Sequence, residues 1–280
     1  QEGRAVRFDW GDSMTNVLVV YKKNFESIHD DSLDHLKSSL EDAKSNHQLR
    51  VEIRARERVR RADFIGRDLV IVLGGDGTLT SISHNIDEST PVMGVNSHPK
   101  SDDPTGSVGF YMDSTLDTFS QDLERALSGK AIVNNLPRLR AIIDSTSGNR
   151  YTTDPAMNEL LIANTHQYAP SKYHLRRGDM NTDQQSSGLI FSTWLGQGAW
   201  FSHSLDPTSL AEIRKVVESG EEDTHYFVLA RDLDHQMRVD KKWSWLDWTE
   251  TTTQILSDMH RGYVVPDGWD EVHFNRGASI

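Results

Sequence analysis

Asp68-Leu69-Val70-Ile71-Val72-Leu73-Gly74-Gly75-Asp76-Gly77-Thr78 is the stretch whose reading decides the fold. Leu69 to Leu73 are uncharged and branched, the pattern of a strand buried on both faces and too short for an ordinary helix. Glycines, one carboxylate and one hydroxyl follow, and then Leu79, Ile82 and Ile86 recur at helical spacing. A buried strand, a glycine turn and a helix start make a natural seat for phosphate. Backbone N–H groups point outward there, and the helix end carries partial positive charge. Glycine lets an anion approach the main chain closely. Asp76 is out of place in a plain anion site, because like charges repel. It is in place if it accepts a proton from an attacking hydroxyl, or helps hold Mg²⁺ beside a transferring phosphoryl group. The loop therefore points to a kinase; an ordinary turn is the plain alternative, since Gly-Asp-Gly is common turn chemistry. It matches neither the GxxxxGK[ST] nor the GxGxxG pattern.

The 280 residues leave room for about two domains and for burying roughly three quarters of the surface that the unfolded chain exposes. Cysteine is absent, which excludes disulfides, thiolate metal sites and a cysteine nucleophile. No apolar run approaches the length of a membrane span, and no signal peptide is read at the start, although the chain begins with Gln1. The net charge is −12, with Lys+Arg 30 against Asp+Glu 42. That negative field opposes nucleic acid and anionic membranes, so neither is expected as a partner. A nucleotide site on such a chain needs local neutralisation by helix ends, arginines or a metal.

Working outward from the loop, 16–21 (NVLVVY) reads as a first strand, 31–44 as a helix with Leu33, Leu36 and Leu40 on one face, and 49–53 as a second strand. The basic stretch 54–61 reads as a solvated helix face. A short strand, 91–95, ends at Asn96, and the polar segment 97–105 reads as a loop or flap. Ser114 is read as the cap of a helix running to about Leu127 and closed by Gly129. Strand and helix alternate up to this point, which predicts a parallel α/β layer. Beyond Lys130 the texture changes. Alternating segments at 138–143, 158–162, 173–177, 189–192 and 226–230 predict a β-rich second domain, with helical periodicity around 209–217. The domains are thus 1–130 and 131–280. Trp243, Trp245 and Trp248 read as packing or interface residues rather than a ligand cage.

Six segments read together carry more than any one of them: 74–78 (GGDGT), 94–96 (GVN), 106–111 (GSVGFY), 138–140 (RLR), 157–160 (MNEL) and 187–200 (SGLIFSTWLGQGAW). In this order and spacing the chain resembles the NAD kinase family, and within it the divergent branch of mitochondrial-type NAD kinases. The resemblance implies a Rossmann-like N-terminal domain and a C-terminal β-sandwich domain with NAD bound between them. It implies transfer of phosphate from ATP to the 2′-hydroxyl of the adenosine ribose, giving NADP. By motif match Asp76 is the catalytic carboxylate, with Gly74, Gly75, Gly77 and Thr78 cradling phosphate. Asn158 and Glu159 match the pair that contacts the NAD riboses, and Phe110 and Tyr111 match aromatics near adenine. Asn96, Ser187, Thr193, Gly196 and Ala199 complete the substrate-binding set. Mg²⁺ enters with ATP, no resident metal is expected, and a homodimer or homotetramer is implied.

The residues' own chemistry agrees with these roles. A ribose hydroxyl is hardly ionised near neutral pH, so transfer gains from a base within hydrogen-bonding reach. Adjacent Asn and Glu on a regular strand point to opposite faces, so the strand must end or twist if both touch one substrate. Arg138 and Arg140 are candidates for neutralising phosphate, with surface strand arginines as the alternative; Lys172, Arg176 and Arg177 are candidates to meet a pyrophosphate. The departures lie on the nicotinamide side. Ser187 stands where the family commonly has Asp, and the Ser192 to Trp200 loop lacks several of the family's hydroxyls. A catalytically weak dinucleotide sensor, and a lipid or small-molecule kinase sharing the glycine loop, are the alternative readings. The acidic composition favours the cytoplasm, with the mitochondrion as the alternative.

Overall fold

The computed structural model describes residues 14–23, 28–217, 224–234 and 246–280, with only the backbone described for 28–30. The chain divides into two compact units between Asn135 and Leu136.

The first unit is built on a parallel sheet of strands β1 (Thr15–Tyr21), β2 (Leu49–Ala55), β3 (Leu69–Gly74), β4 (Val92–Asn96) and β5 (Ser114–Thr115), in the order β2-β1-β3-β4-β5. Its helices are α1 (Ile28–Ala43), α2 (Arg61–Phe64), α3 (Asp76–Ser83) and α4 (Phe119–Leu127). Every residue of β3 is buried, as its unbroken apolar run requires of a strand covered on both faces. Leu36 and Leu40 of α1 join Phe119 and Leu123 of α4 against Val17, Val19 and Ile71 of the sheet. The strand order reverses between β1 and β3. In open α/β sheets, ligands gather beyond the carboxyl ends of strands at such a point.

Two readings of this unit are corrected. Residues 54–61 are not a helix face: β2 stays paired with β1 as far as Ala55, and α2 begins only at Arg61. Parallel pairing to a buried neighbour outweighs the weak helical signal of a basic run, and Arg54 and Arg67 both find Glu52. Ser114 does not cap α4 either. It lies in β5, where it pairs with Val95, and α4 starts after Thr118. The Ser114 hydroxyl still donates to Asp122 in the first part of that helix, at 2.9 Å. The 97–105 loop is tied down rather than free, with Ser107 N–H donating to His98 O at 2.9 Å and Lys100 N–H to Ser107 O at 2.8 Å.

The second unit contains β6 (Ile142–Asp144), β7 (Arg150–Thr152), β8 (Glu159–Asn164), β9 (Ser171–Arg177), β10 (Met180–Ser186), β11 (Leu189–Ser192), β12 (Tyr226–Ala230), β13 (Leu246–Thr249), β14 (Gln254–Ser257), β15 (Arg261–Pro266) and β16 (Val272–Asn275). A 3₁₀ turn spans Trp194–Gly198, followed by helices α5 (Trp200–His203) and α6 (Pro207–Val217). An antiparallel sheet, β13-β12-β11-β8-β15-β16, packs Leu160, Ile162, Phe191 and Val264 against Tyr173, Leu175 and Ile255 of a smaller sheet, β10-β9-β14. This is the expected sandwich. The larger sheet's outer face is covered too, with Ile190, Phe227 and Leu229 meeting Phe201 and Ile213 of α5 and α6.

The strand expected over 138–143 is shorter than its alternation suggests: Leu139 forms an isolated bridge with Ala156, and β6 begins at Ile142. Trp248 packs on Phe227 with ring centroids 4.2 Å apart, in keeping with a packing role; Trp243 and Trp245 lie outside the described residues. Among the described residues no helix is long and apolar enough to cross a membrane.

Candidate active site

In the first unit the site is built where β3 and β4 end. Gly74 and Asn96, their last residues, are register partners. Helix α3 begins immediately, with Gly75 at the cap position and Asp76 as the first helical residue. The tight passage explains two of the glycines. A Cβ on Gly74 would lie 2.4 Å from Thr78 Oγ1, and one on Gly75 would lie 2.8 Å from the Ser107 side chain. A Cβ on Gly77 meets nothing within 4 Å, so packing does not require glycine there. Thr78, expected at the phosphate, is buried, and its hydroxyl accepts from Gly75 N–H at 3.5 Å.

Asp76 is half-buried and held by the segment that follows the 97–105 loop. Its Oδ2 accepts from Ser107 Oγ at 3.2 Å and from Gly109 N–H at 3.0 Å, while Oδ1 accepts from Tyr111 N–H at 2.9 Å. A carboxylate has about four lone-pair positions, so one position on Oδ1 stays open for an incoming hydroxyl among the described residues. The position at a helix start also suits a negative group. Phe110 is 50% exposed and stands edge-on to Tyr111, with centroids 5.1 Å apart. Asn96 has a structural part: its amide donates to Ser107 O at 3.3 Å and accepts from His98 N–H at 3.2 Å.

In the second unit the predicted residues converge around the start of β8. Asn158 lies just before the strand and Glu159 is its first residue, so the strand ends at the pair. Both are buried, at 9% and 8% exposure. The 3₁₀ turn is laced to them. Thr193 N–H donates to Asn158 O at 2.9 Å, Ser192 Oγ donates to the same carbonyl at 3.1 Å, and Thr193 Oγ1 donates to Met157 O. Gly196 is closely packed: a Cβ there would lie 1.9 Å from Ser192 Oγ and 3.2 Å from Asn158 O, so the Ser192 hydroxyl would have to leave its bond to that carbonyl. Ala199 ends the turn, its N–H donating to Gly196 O at 2.9 Å.

Glu159 Oε2 accepts from Phe201 N–H at a long 3.4 Å. Burial, and then the negative charge of Asp267, push its carboxyl from 4.5 up to about 7; the N–H groups of Phe201 and Trp200 oppose the shift. Sequence reading missed Asp267, whose carboxylate accepts from the N–H groups of Met157, Asn158 and Glu159 at 2.6, 2.9 and 3.0 Å. Its only signal in the sequence is an Asp-Gly turn far along the chain.

Other candidates stand apart from this cluster or serve the fold. Ser187 is exposed, its N–H donating to Arg231 O at 2.8 Å, and the Arg231 guanidinium lies 4.8 Å over the Trp200 ring. Arg138 is half-buried and Arg140 exposed, on either side of Leu139. Arg177 is buried and its Nη2 pairs with Asp247 at 2.6 Å, while its Nη1 has no hydrogen-bond partner among the described residues; Lys172 and Arg176 are exposed on β9.

Known proteins resemble this chain in sequence and in fold. Residues 12–131 match the ATP-NAD kinase N-terminal domain. An NAD kinase of Syntrophobacter fumaroxidans is 33% identical over 147 residues, covering 50% of this chain and 48% of that protein. An NADH kinase of Arabidopsis thaliana is 39% identical over 88 residues, covering 28% of each chain. The chain thus spans less than half the length of these relatives. Among solved structures, an NAD kinase from Archaeoglobus fulgidus in complex with ATP superposes with a TM-score of 0.64 at 18% identity, covering 95% of this chain and 89% of that one. A yeast NADH kinase complexed with NADH gives 0.69 at 13% identity, covering 96% and 78%. The two-domain fold of these enzymes is therefore the fold of this chain.

Proposed function

We propose that this chain is an NAD kinase, transferring the γ-phosphoryl group of ATP to the 2′-hydroxyl of the adenosine ribose of NAD. The observation that carries the reading is the Asp76 carboxylate at the end of a buried strand, aimed by three donors and keeping one acceptor position open. In the proposed step the 2′-oxygen bonds to the γ-phosphorus, the bond from that phosphorus to the β–γ bridging oxygen breaks, and ADP leaves. The hydroxyl proton passes to Asp76. Such transfers depend mainly on positioning and on neutralising charge. Mg²⁺ arrives as part of the ATP substrate and screens the phosphate charge. Asn158 and Glu159 supply a donor and acceptors suited to vicinal ribose hydroxyls.

Purified protein given NAD, ATP and Mg²⁺ is expected to form NADP, read with an NADP-specific dehydrogenase, with NADH run in parallel as acceptor. Dinucleotide binding without product at any enzyme concentration would leave a sensor of the same fold. Self-association as a dimer or tetramer belongs to the same proposal, and a solution mass measurement tests it.

A further inference from the structure

The turn after β15 acts on the site as well as reversing the chain. Asp267 adopts a left-handed backbone with φ 46°, followed by Gly268 at φ 79°. That conformation is uncommon outside glycine, with Asp among the residues that tolerate it. The ladder between β15 and β8 ends with Pro266 opposite Leu160. Where it ends, the Asp267 carboxylate takes over, receiving the consecutive N–H groups of Met157, Asn158 and Glu159, while Asp267 N–H donates back to Glu159 O at 2.9 Å.

In a regular strand, successive N–H groups point to opposite edges. Three in a row can reach one carboxylate only if the backbone leaves that alternation. Asn158 lies outside β8, so the alternation that sends neighbouring strand side chains to opposite faces does not bind the pair. We propose that Asp267 is a positioning residue for the Asn158–Glu159 pair, gathering these amides and so fixing the backbone from which both side chains meet the hydroxyl groups of a ribose. The inference rests on the assignment of that pair to ribose binding. Asp267 is also the charged group that acts on Glu159 among the described residues; the other groups beside Glu159 are the N–H groups of Trp200 and Phe201 on α5 and the glycine Gly196.

The test is NAD affinity by calorimetry, without ATP, for wild type and Asp267→Asn on both sides of neutral pH. An asparagine offers one acceptor oxygen where two served three amides, so binding is expected to weaken roughly tenfold to a hundredfold. Ionised Glu159 accepts from hydroxyls, so affinity rises as pH climbs through its titration. Loss of the Asp267 charge moves that rise to lower pH. Amide exchange at 157–159 should accelerate while β11 and β12 keep their protection, a pattern that general loosening of the fold would not give. A folded Asp267→Asn protein with wild-type affinity, and the rise at the same pH, overturns the inference. If that variant does not fold, Asp267→Glu keeps the charge but displaces the oxygens; it should bind more weakly with the rise unmoved, and wild-type affinity there is equally fatal. Wild-type protein that binds no NAD removes the assignment of the pair itself, a failure distinct from indifference to Asp267.

Discussion

Asp76 and Glu159 are both carboxylates at the end of a strand, and the chain surrounds them in opposite ways. Asp76 is half-buried at the start of α3 and meets one hydroxyl and two backbone N–H groups at 2.9–3.2 Å. Glu159 is buried at the start of β8, accepts from Phe201 N–H at a long 3.4 Å, lies beside Trp200 N–H, and feels a second carboxylate, Asp267. The first arrangement fixes a direction and leaves a place for a proton to arrive. The second holds a proton near neutrality. Two groups of like chemistry in different surroundings commonly take different roles. Under the proposed function Asp76 accepts the proton of the reacting hydroxyl and Glu159 binds a ribose.

The sharpest way to break the contrast is to neutralise each group in turn. Asp76→Asn keeps the shape and removes the proposed base, so turnover should fall roughly 10²- to 10⁴-fold with little change in KM. Glu159→Gln should act mainly on the KM for NAD, because it alters binding rather than the proton transfer. Steady-state NADP formation decides between them. Equal losses in turnover from both variants would end the division of labour.

The next effect is on stability. Glu159 titrates at about 7 in the folded protein against 4.5 for an unperturbed group. Between those values the folded state binds more protons than the unfolded one. Stability from this group is therefore fully present below about 4.5 and is lost as pH rises through about 7. The shift corresponds to about 3 kcal/mol. Urea unfolding of wild type and Glu159→Gln should show the difference: the variant loses this slope and gains stability relative to wild type on the alkaline side. Parallel pH–stability curves would mean that Glu159 is not held this way.

Much of the frame was legible. The unbroken run at β3 fixed a fully buried strand, and the alternating segments at β11 and β12 fall exactly within their observed bounds. The glycine turn placed Asp76, and β8 begins at Glu159, beside Asn158. What escaped was the support. Gly109 and Tyr111 reach Asp76 through main-chain N–H groups, and a main-chain donor leaves no trace in residue type. Asp267 acts on Glu159 from 108 positions away, so neither periodicity nor local spacing registers it. The 54–61 segment misled because a basic run says nothing about β pairing, which the buried neighbour β1 decides.

The smallest expected effects separate glycines that serve packing from those that serve a ligand. A Cβ on Gly94 would lie 2.3 Å from Tyr111 O and 3.0 Å from Met112 Cα, and backbone cannot yield as a side chain does. Gly94→Ala should therefore cost about 1–3 kcal/mol. It should also lower turnover, since any shift at Tyr111 moves a donor to Asp76. Gly77 is the opposite case: it lies within α3, and an added Cβ there meets nothing within 4 Å. Alanine at an open helical position is favoured over glycine by about 0.5–1 kcal/mol, so Gly77→Ala should leave the melting temperature level or raise it. If Gly77 is glycine because a phosphate approaches its backbone, the same variant must raise the KM for ATP while the fold gains. A stabilised variant with an unchanged KM for ATP would show that the phosphates do not pass over Gly77, and the anion seat would then narrow to Gly74, Gly75 and the first N–H groups of α3.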